Sequence, residues 1–412
     1  MSEQRSGARP PAAESNPPPP IRALVVDDDP VFIAVLTRFL SQRGYAVEHS
    51  LDGESALARI RAGGFNLVVT DRNMPGMDGV ELARAIRSLS SSSYVYSIML
   101  TASRDEASLV AAMEAGVDDF VAKPLSLAEL GARLQAAERV LTLEAGLARR
   151  NEQLARAYGQ LRSDLELART LQVGHLPAPG AFGRVRFDWR FEASGYVGGD
   201  TFDYFRLGER HLCFYLADVS GHGVAAAMMA FHAQHQLRAS SEQITEVLAR
   251  RGTRLGATVA AVATEYNLRF LRMQNENLYL TMLFGLVDLD SGRAALVQAG
   301  HPPPFFAAAG EEEFRPLGGG GVPIGIVEQP DYEPIELQLS TGARLVLYSD
   351  GVTDCRDAGD AAFGEQRLRD VLLAQRHAPL GEMGEQVHQA LRAWRPGATF
   401  EDDVTLLALE AH

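Results

Sequence analysis

Acidic residues recur beside glycines at the edges of apolar runs in the second half of this 412-residue sequence. The segment 198–223 begins with Gly-Gly-Asp200, continues through an apolar run at 211–217 and ends in the motif Asp218-Val-Ser-Gly-His-Gly. The apolar run predicts a buried strand, and we expect the two aspartates in the turns that flank it. Carboxylates at such positions suit cations that prefer oxygen ligands, such as Mg²⁺ or Mn²⁺. Two ordinary Asp/Gly turns would explain either acid alone, so a metal centre requires further acids.

Two more acidic loops supply them. Asp350 comes three residues after the end of an apolar strand predicted at 344–347, and Asp402 and Asp403 precede the last predicted strand at 405–409. Four such loops suit two divalent cations, which together bind a phosphate ester and activate a water molecule. No nucleophile-elbow motif or active-site cysteine signature competes with this interpretation. The second half of the chain is therefore predicted to catalyse metal-assisted hydrolysis.

Another set of polar residues falls at the ends of strands predicted in the first 125 residues. Strands alternate with helices there, which predicts a doubly wound parallel sheet, an α/β fold that binds its ligand at the carboxyl ends of the strands. The residues at those ends are Asp27, Asp28, Asp71, Thr101 and Lys123. We expect the three aspartates to hold one cation, which reduces charge repulsion when a phosphoryl group approaches Asp71. Lys123 would then pair with the phosphoryl oxygens, and the Thr101 hydroxyl would donate to one of them.

The order of these motifs resembles the response-regulator receiver domain over residues 21–140. The matching motifs are Val-Val-Asp27-Asp28-Asp29, Asp71-Arg-Asn73-Met-Pro-Gly-Met-Asp-Gly, Leu-Thr101-Ala and Lys123-Pro124. The resemblance implies a five-stranded domain in which Asp71 is phosphorylated by a sensor histidine kinase or a phosphotransfer protein. It implies that the Asn73 carbonyl completes a Mg²⁺ site and that the peptide bond before Pro124 is cis. Switch roles are implied for Thr101, Lys123 and Phe120, which occupies the switch-aromatic position.

A second series of motifs resembles the metal-dependent protein phosphatase (PPM) family from residue 164 to the C-terminus. The motifs are Glu166-Leu-Ala-Arg, Gly198-Gly-Asp200, Asp218-Val-Ser-Gly-His-Gly, Ala299-Gly-His-Pro-Pro-Pro, Val322-Pro-Ile-Gly, Tyr348-Ser-Asp350-Gly and Asp402-Asp403-Val-Thr. The resemblance is to the bacterial branch that dephosphorylates anti-sigma-factor antagonists, and it implies an α+β domain with a β-sandwich flanked by helices. It further implies a catalytic centre of two Mn²⁺ or Mg²⁺ ions. The implied ligands are Asp200, Asp218, Asp350, Asp402 and the Val219 carbonyl.

The phosphatase motifs leave the roles of His222, His301 and the segment 252–277 to be interpreted separately. The eukaryotic branch carries a general-acid histidine two residues after its second metal aspartate, whereas His222 comes four residues after Asp218. His222 either shapes its loop or acts as an acid, and we expect the former. His301 is expected to order the proline turn that follows it. The segment 252–277 is interpreted as a solvated surface, with a substrate-facing region as the alternative.

Residues 141–178, between the two halves, are predicted to form a helical linker. Apolar residues at spacings of three and four recur from 127 to 141 and from 147 to 168, and the two sets are out of phase near Glu144. Asn151 on the seam favours a defined coiled-coil register, and hence a homodimer. A helix that packs on the chain's own two domains is the alternative. A proline-rich breaker then marks the phosphatase domain, residues 179–412.

The composition restricts the possible partners. The chain has 39 basic and 53 acidic side chains, a net charge of −14, which argues against broad binding to nucleic acid or to an anionic membrane. No run approaches the roughly 18 apolar residues that span a bilayer. Residues 1–20 are predicted to be a disordered tail rather than a secretory signal. Cys213 and Cys355 lack metal-ligand spacing and fit a reducing, cytoplasmic location.

The two resemblances together predict a response regulator whose output is a metal-dependent protein serine/threonine phosphatase. Its predicted substrate is a phosphorylated anti-sigma-factor antagonist. The alternative is a catalytically inactive scaffold of the same fold, against which the four metal aspartates argue. A transcription factor would need a DNA-binding motif after the receiver, and the sequence shows no helix-turn-helix pattern there.

Overall fold

The structure, a computed structural model, describes residues 21–89, 94–102, 105–251, 254–273 and 278–412. They divide into two compact units, one ending at Gly159 and the other running from Gln160 to His412. The predicted disordered tail, residues 1–20, lies outside the described residues. No helix within the described ranges is long and apolar enough to cross a membrane.

The first unit is built on a parallel sheet. Its elements are β1 (Arg22–Val26), α1 (Pro30–Ser41), β2 (Ala46–Ser50), α2 (Gly53–Arg61), β3 (Leu67–Asp71), α3 (Gly79–Arg87), β4 (Tyr96–Thr101), α4 (Glu106–Glu114), β5 (Asp119–Ala122) and α5 (Leu127–His175). The strand order is β2-β1-β3-β4-β5, and each pair of neighbours is parallel. Apolar side chains pack on both faces of the sheet, against α1 and the start of α5 on one side and against α2 and α3 on the other. The predicted doubly wound α/β fold is thus confirmed.

Caps fix the start of two helices near the carboxyl ends of the strands. The Asp29 side chain accepts a hydrogen bond of 2.8 Å from the Val31 backbone N–H, and Pro30 begins α1. Asp78 and Glu81 form a reciprocal capping box at the start of α3. Helix α4 buries few of its side chains. Of its side chains only Ala112 is buried, so its sequence carries little amphipathic signal.

Helix α5 is continuous through the predicted linker, so the phase change near Glu144 does not interrupt it. The first apolar set packs in the first unit, where Leu130, Leu134 and Leu141 are buried. Further along the helix, four of the larger apolar side chains of the second set are more than half exposed. These are Leu147, Leu154, Tyr158 and Leu161. The helical linker is therefore confirmed, and its pairing with a second copy stays a prediction.

The described residues of the second unit form the end of α5, two antiparallel sheets and six further helices. Its elements after α5 are β6 (Gly180–Phe182), β7 (Val185–Glu192), β8 (Asp200–Leu207), β9 (His211–Val219), α6 (Val224–Ala239), α7 (Ser241–Arg251), α8 (Leu255–Met273), β10 (Leu280–Asp288), β11 (Arg293–Ala299), β12 (Phe305–Ala307), β13 (Arg315–Pro316), β14 (Pro334–Gln338), β15 (Arg344–Tyr348), α9 (Asp350–Thr353), α10 (Gly364–Ala374), α11 (Leu380–Trp394) and β16 (Val404–Ala411). One sheet has the order β14-β11-β10-β9-β8, and the other has the order β13-β12-β15-β16-β7-β6.

These sheets form a sandwich, because alternate side chains of both pack into one apolar layer that includes Phe187, Phe214 and Leu407. The opposite face of the five-stranded sheet is covered by α6, α7 and α8. The opposite face of the six-stranded sheet is covered by α9, α10 and α11. This arrangement confirms the predicted β-sandwich flanked by helices.

Helix α8 corrects the interpretation of residues 252–277 as a solvated surface. Residues 252–253 and 274–277 lie outside the described residues, but most of the segment forms this helix. Its side chains Val259, Ala263, Tyr266 and Phe270 are buried in the core against the five-stranded sheet. Their spacing of four, three and four residues is typical of an apolar helix face.

Candidate functional site

The first candidate site lies at the carboxyl ends of β1, β3 and β5. Among the described residues, one group of three or more acids, histidines or cysteines has ligand atoms all within 4.8 Å of one another, and it consists of Asp27, Asp28 and Asp71. Lys123 joins them, with its Nζ 2.7 Å from Asp71 Oδ1 and 3.6 Å from Asp27 Oδ2. The strand ends thus bring together the acidic cluster and the lysine that the sequence placed there.

The charges in this cluster are only partly balanced. Burial raises the pKa of Asp27, and the Asp71 and Asp28 carboxylates raise it further against the opposing effects of the Asp29 N–H and Lys123. Burial lowers the pKa of Lys123, but its hydrogen bond to Asp71 and the charges of Asp71 and Asp27 outweigh that effect and raise it. Three acids face one lysine, and Asp27 Oδ2 has no hydrogen-bond partner among the residues that the structure describes. A divalent cation with oxygen ligands fits this donor set.

The remaining predicted residues of the first unit lie in β4, in β5 and in the loop after β3. Thr101 is the buried last residue of β4, and Phe120 is a half-buried residue of β5 that packs beside α3 and α4. The peptide bond between Lys123 and Pro124 is cis, as the receiver resemblance implied. Asn73 is exposed in the loop two residues after Asp71, and its role as a ligand stays a prediction.

In the second unit, the structure corrects the expected position of two acids. The sequence placed Asp200 and Asp218 in turns on either side of one strand. Both instead lie within strands, and they are direct register partners across β8 and β9. The error arose because Gly198 and Gly199 indicate a turn, whereas the extended chain resumes at the very next residue.

The other two predicted acids come from the facing sheet. Asp350 begins α9 just after β15, and Asp402 lies two residues before β16. Because β15 and β16 are antiparallel neighbours, the end of one strand and the start of the other lie at the same edge of the sheet. The structure therefore brings Asp350 and Asp402 to one edge.

The electrostatics show that the acids of the two sheets influence one another. Burial raises the pKa of Asp218 to about 8, and the charges of Asp350, Asp402 and Asp403 contribute to that rise. Burial likewise raises the pKa of Asp350, and the negative charge of Asp402 raises it further. Carboxylates that repel one another in a partly dry site bind divalent cations well, because the cation removes the repulsion.

Asp200 gives the most specific indication of a cation. Its Oδ2 accepts a hydrogen bond from the Thr405 hydroxyl, while its Oδ1 is buried and has no hydrogen-bond partner among the described residues. Burial raises its pKa well above the usual range, and the Asp218 and Asp403 charges raise it further. A buried carboxylate oxygen without a donor fits a metal ligand.

The acids of the second unit are spread more widely than those of the first. No three of them meet the 4.8 Å limit that Asp27, Asp28 and Asp71 meet, within the part of the chain that the structure describes. Two-cation sites separate their ions by about 4 Å, so ligands of different ions lie farther apart than ligands of one ion. The described acids of the second unit do not form a cluster as compact as the one in the first unit.

Asp403 has a structural role that the sequence analysis did not assign. Its Oδ2 accepts hydrogen bonds from the backbone N–H groups of Gly199 (2.5 Å) and Asp200 (3.3 Å). Its Oδ1 accepts from the backbone N–H of Ser194 (2.8 Å) and from the Ser194 hydroxyl (3.1 Å). Asp403 thus fixes the loop that leads into Asp200. Gly198 packs closely against Asp403, because an added Cβ there would lie only 2.2 Å from Asp403 Oδ2.

The backbone near Asp218 is also closely packed. A Cβ at Gly199 would lie 2.8 Å from the Val219 carbonyl oxygen, so a glycine is required for this approach. Ser220 holds the following loop to the residue before β10, since its N–H donates to the Tyr279 carbonyl (2.9 Å) and its Oγ accepts from the Tyr279 N–H (3.0 Å). Val219 as a backbone ligand stays a prediction.

The two histidines lie in different surroundings. His222 is exposed; burial raises the pKa of Asp402, and the His222 charge is only a minor influence that opposes this rise. His301 is buried, its Nδ1 lies 2.7 Å from the Thr281 hydroxyl, and burial lowers its pKa to about 3. A buried, neutral His301 is positioned for packing rather than for proton transfer to a substrate.

Comparisons with known proteins match the two parts of the chain to two different families. Residues 23–135 match the response regulator receiver domain, and residues 208–412 match the Stage II sporulation protein E (SpoIIE) family. Protein IcfG of Synechocystis sp. is 28% identical over 268 residues, which are 61% of this chain and 42% of that protein. The phosphoserine phosphatase RsbP of Bacillus subtilis is 26% identical over 255 residues, 60% of this chain and 58% of that protein.

One solved structure agrees with the fold of the second unit. The SiaA-PP2C domain of Pseudomonas aeruginosa has a TM-score of 0.51 and 22% identity, and the match covers 63% of this chain and 99% of that one. At this identity the likeness concerns the fold alone. The chain spans about half the length of the curated relatives it matches.

Proposed function

Because the chain joins a response regulator receiver domain to a phosphatase domain of the SpoIIE type, we propose that it is a phosphorylation-controlled protein phosphatase. Its receiver (residues 21–140) takes a phosphoryl group on Asp71, and its C-terminal domain (179–412), which follows the linker at 141–178, hydrolyses phosphoserine or phosphothreonine on a protein. The observation that carries the proposal is the cross-strand pair of buried Asp200 and half-buried Asp218, with their raised pKa values and an Asp200 oxygen that has no hydrogen-bond partner among the described residues.

In the phosphatase domain, Asp200 and Asp218 hold the two cations, Mn²⁺ or Mg²⁺, with Asp350, Asp402 and the Val219 carbonyl completing the ligand set. Bound cations of this kind neutralise phosphate charge and lower the pKa of water. The protein supplies the geometry, because Thr405 orients one Asp200 oxygen and Asp403 fixes the Asp200 backbone. Such fixed partners of the ligands maintain their orientation.

In the receiver, Asp27, Asp28, Asp71 and the Asn73 carbonyl hold one Mg²⁺. Lys123 already lies within hydrogen-bond distance of Asp71 and would follow its added phosphoryl group. Thr101 and Phe120 are the residues proposed to change conformation when Asp71 is phosphorylated. A sensor histidine kinase or a phosphotransfer protein is the proposed phosphate donor.

The proposed substrate is a phosphorylated anti-sigma-factor antagonist, and the proposed assembly is a homodimer through α5. The similarity to RsbP, a phosphoserine phosphatase, supports the substrate class. The exposed apolar side chains of α5 support the homodimer. The buried, unpaired thiols of Cys213 and Cys355 fit the cytoplasm as the proposed location. An inactive scaffold remains the alternative, and the four metal aspartates argue against it.

The test is hydrolysis of a phosphoserine peptide by the purified full chain in excess Mn²⁺. We expect Mn²⁺-dependent release of phosphate by the wild type and its loss in Asp218→Asn. Asp290→Asn is the matched control, because Asp290 is an exposed acid in the turn after β10. It lies at the far end of that strand from the proposed site, since Leu280, at the start of β10, is the residue that pairs with Val219. Absence of wild-type hydrolysis, or equal hydrolysis by Asp218→Asn, would refute the enzymatic function.

A further inference from the structure

Arg395, the residue that follows α11, makes three hydrogen bonds with its guanidinium group. Its Nε donates to the Thr399 carbonyl (3.0 Å), its Nη1 to the Arg356 carbonyl (3.0 Å), and its Nη2 to Glu401 Oε1 (2.8 Å). Only 19% of the side chain is exposed. Every nitrogen of the planar group is therefore used, and the fork geometry fixes its three acceptors relative to one another.

These acceptors belong to the two loops that carry the acids of the six-stranded sheet. Thr399 and Glu401 lie in the loop that leads directly into Asp402. Arg356 lies in the loop that leaves α9, whose first residue is Asp350, and the Asp354 N–H ties that loop to the Asp350 carbonyl at 2.7 Å. Arg395 thus connects the backbone near Asp350 to the backbone near Asp402.

Such a connection opposes a force that would separate the loops. The Asp350 and Asp402 carboxylates carry like charges, and Asp354 adds a third negative charge near both. Repulsion among them favours wider separation until a cation is bound. A cation binds more tightly when its ligands are already held at the required distance, because less conformational entropy is lost on binding.

We infer that Arg395 is a positioning residue that holds the Asp350 and Asp402 loops together and thereby sets the affinity of the phosphatase centre for divalent cations. The inference rests on the proposed function, since it takes Asp350 and Asp402 as ligands. Arg395 itself touches neither the substrate nor a cation in this account, and its effect passes through the two loops.

Arg376 provides a matched control for a merely structural arginine. Its guanidinium also makes three hydrogen bonds to loop carbonyls, those of Glu311, Ala308 and Gly342, each at 3.1 Å, and it is buried. None of these loops carries an acid proposed as a ligand. Loss of either arginine should lower thermal stability, whereas only loss of Arg395 should change cation binding.

The experiment is calorimetric titration of the full chain with Mn²⁺, with thermal unfolding measured in parallel. All proteins carry Asp28→Asn, which removes an exposed ligand from the site in the first unit. We expect Arg395→Gln to weaken Mn²⁺ binding by about 10- to 100-fold, the range typical of residues that orient metal ligands. Arg376→Gln should bind Mn²⁺ as the wild type does. In hydrolysis assays, Arg395→Gln should need more Mn²⁺ but approach the wild-type kcat at saturation.

Arg395→Lys separates geometry from charge and carries the test if the glutamine variant does not fold. Lysine keeps the positive charge but lacks the planar fork, so its Mn²⁺ affinity should also fall. Wild-type affinity in Arg395→Lys, or an equal loss in Arg376→Gln, would overturn the inference. Calorimetry detects Mn²⁺ binding without turnover. Absence of hydrolysis would therefore refute the proposed function, but the Mn²⁺ affinities of the variants could still be compared.

Discussion

Asp200 and Asp218 face each other as direct register partners of β8 and β9. Adjacent strands hold their backbones a fixed distance apart, so neither acid can move away from the other without breaking the sheet. Burial and mutual repulsion then favour either a proton or a cation between the two carboxylates. The sheet itself therefore builds the core of the proposed metal centre.

The hydrogen bonds of Asp403 predict a large effect for Asp403→Ala. Its removal leaves the buried Gly199 N–H without an acceptor, which costs about 1–3 kcal/mol for each unsatisfied buried group. Urea denaturation should show a lower free energy of unfolding, and Mn²⁺ affinity should fall because the Asp200 backbone is no longer fixed. Wild-type stability in this variant would contradict the role assigned to Asp403.

Gly198 should not tolerate even a methyl group. A Cβ there would lie 2.2 Å from Asp403 Oδ2 and 2.6 Å from its Cγ, so Gly198→Ala must displace Asp403 or its own loop. We expect a loss of about 1–3 kcal/mol in unfolding free energy, together with weaker Mn²⁺-dependent hydrolysis. Gly319→Ala is the control, because a Cβ at Gly319 meets nothing within 4 Å. Equal behaviour of the two variants would argue against the steric constraint.

The metal-free protein should lose stability as the pH rises. The folded-state pKa of Asp218 lies at about 8, above its ordinary value of 3.8, so the folded protein binds that proton more tightly than the unfolded chain does. This stabilisation is complete below the unfolded pKa and disappears as the pH rises through the folded pKa.

Urea denaturation of chelator-treated protein from about pH 5 to about pH 9 measures the effect. The free energy of unfolding should fall across this range, and Asp218→Asn should weaken the dependence because its side chain does not titrate. Saturating Mn²⁺ should offset the loss by stabilising the ionised acids. A free energy of unfolding that stays constant or rises would contradict the prediction.

The sequence predicts the site of the first unit best, because the order of strands and helices there determines which residues lie together. Parallel strands place their carboxyl ends at one edge of the sheet, so Asp27, Asp71 and Lys123 were predicted together from their positions after apolar runs. In the antiparallel sandwich no comparable rule applies. The pairing of Asp200 with Asp218 depends on where β8 begins, and two glycines before it concealed that point.

Other features required the folded chain. The acceptor role of Asp403 and the three bonds of Arg395 join residues from separate loops, and such pairings leave no periodic pattern in a sequence. Helix α8 was different, since Val259, Ala263, Tyr266 and Phe270 have helical spacing.

The exposed apolar side chains of α5 predict that the full chain is a homodimer. We expect light scattering to give twice the mass of one chain, and the double variant Leu154→Glu with Leu161→Glu to give a monomer, because it places charge at the coiled-coil seam. Gln153→Glu with Gln160→Glu is the control, since it adds the same charge one residue away from each seam position. A monomeric wild type, or dissociation of both variants, would refute pairing through this seam.

The most direct test of the whole account measures phosphoserine hydrolysis with and without a phosphoryl group on Asp71. The purified full chain is treated with a small-molecule phosphodonor, and phosphate release from a phosphoserine protein is followed in saturating Mn²⁺. We predict that treatment changes the wild-type rate by about five-fold or more, the scale of typical allosteric coupling. Asp71→Ala should hydrolyse the substrate at one rate with or without the donor. An unchanged wild-type rate despite phosphorylated Asp71, or an equal response in Asp71→Ala, would contradict the control of the phosphatase by the receiver.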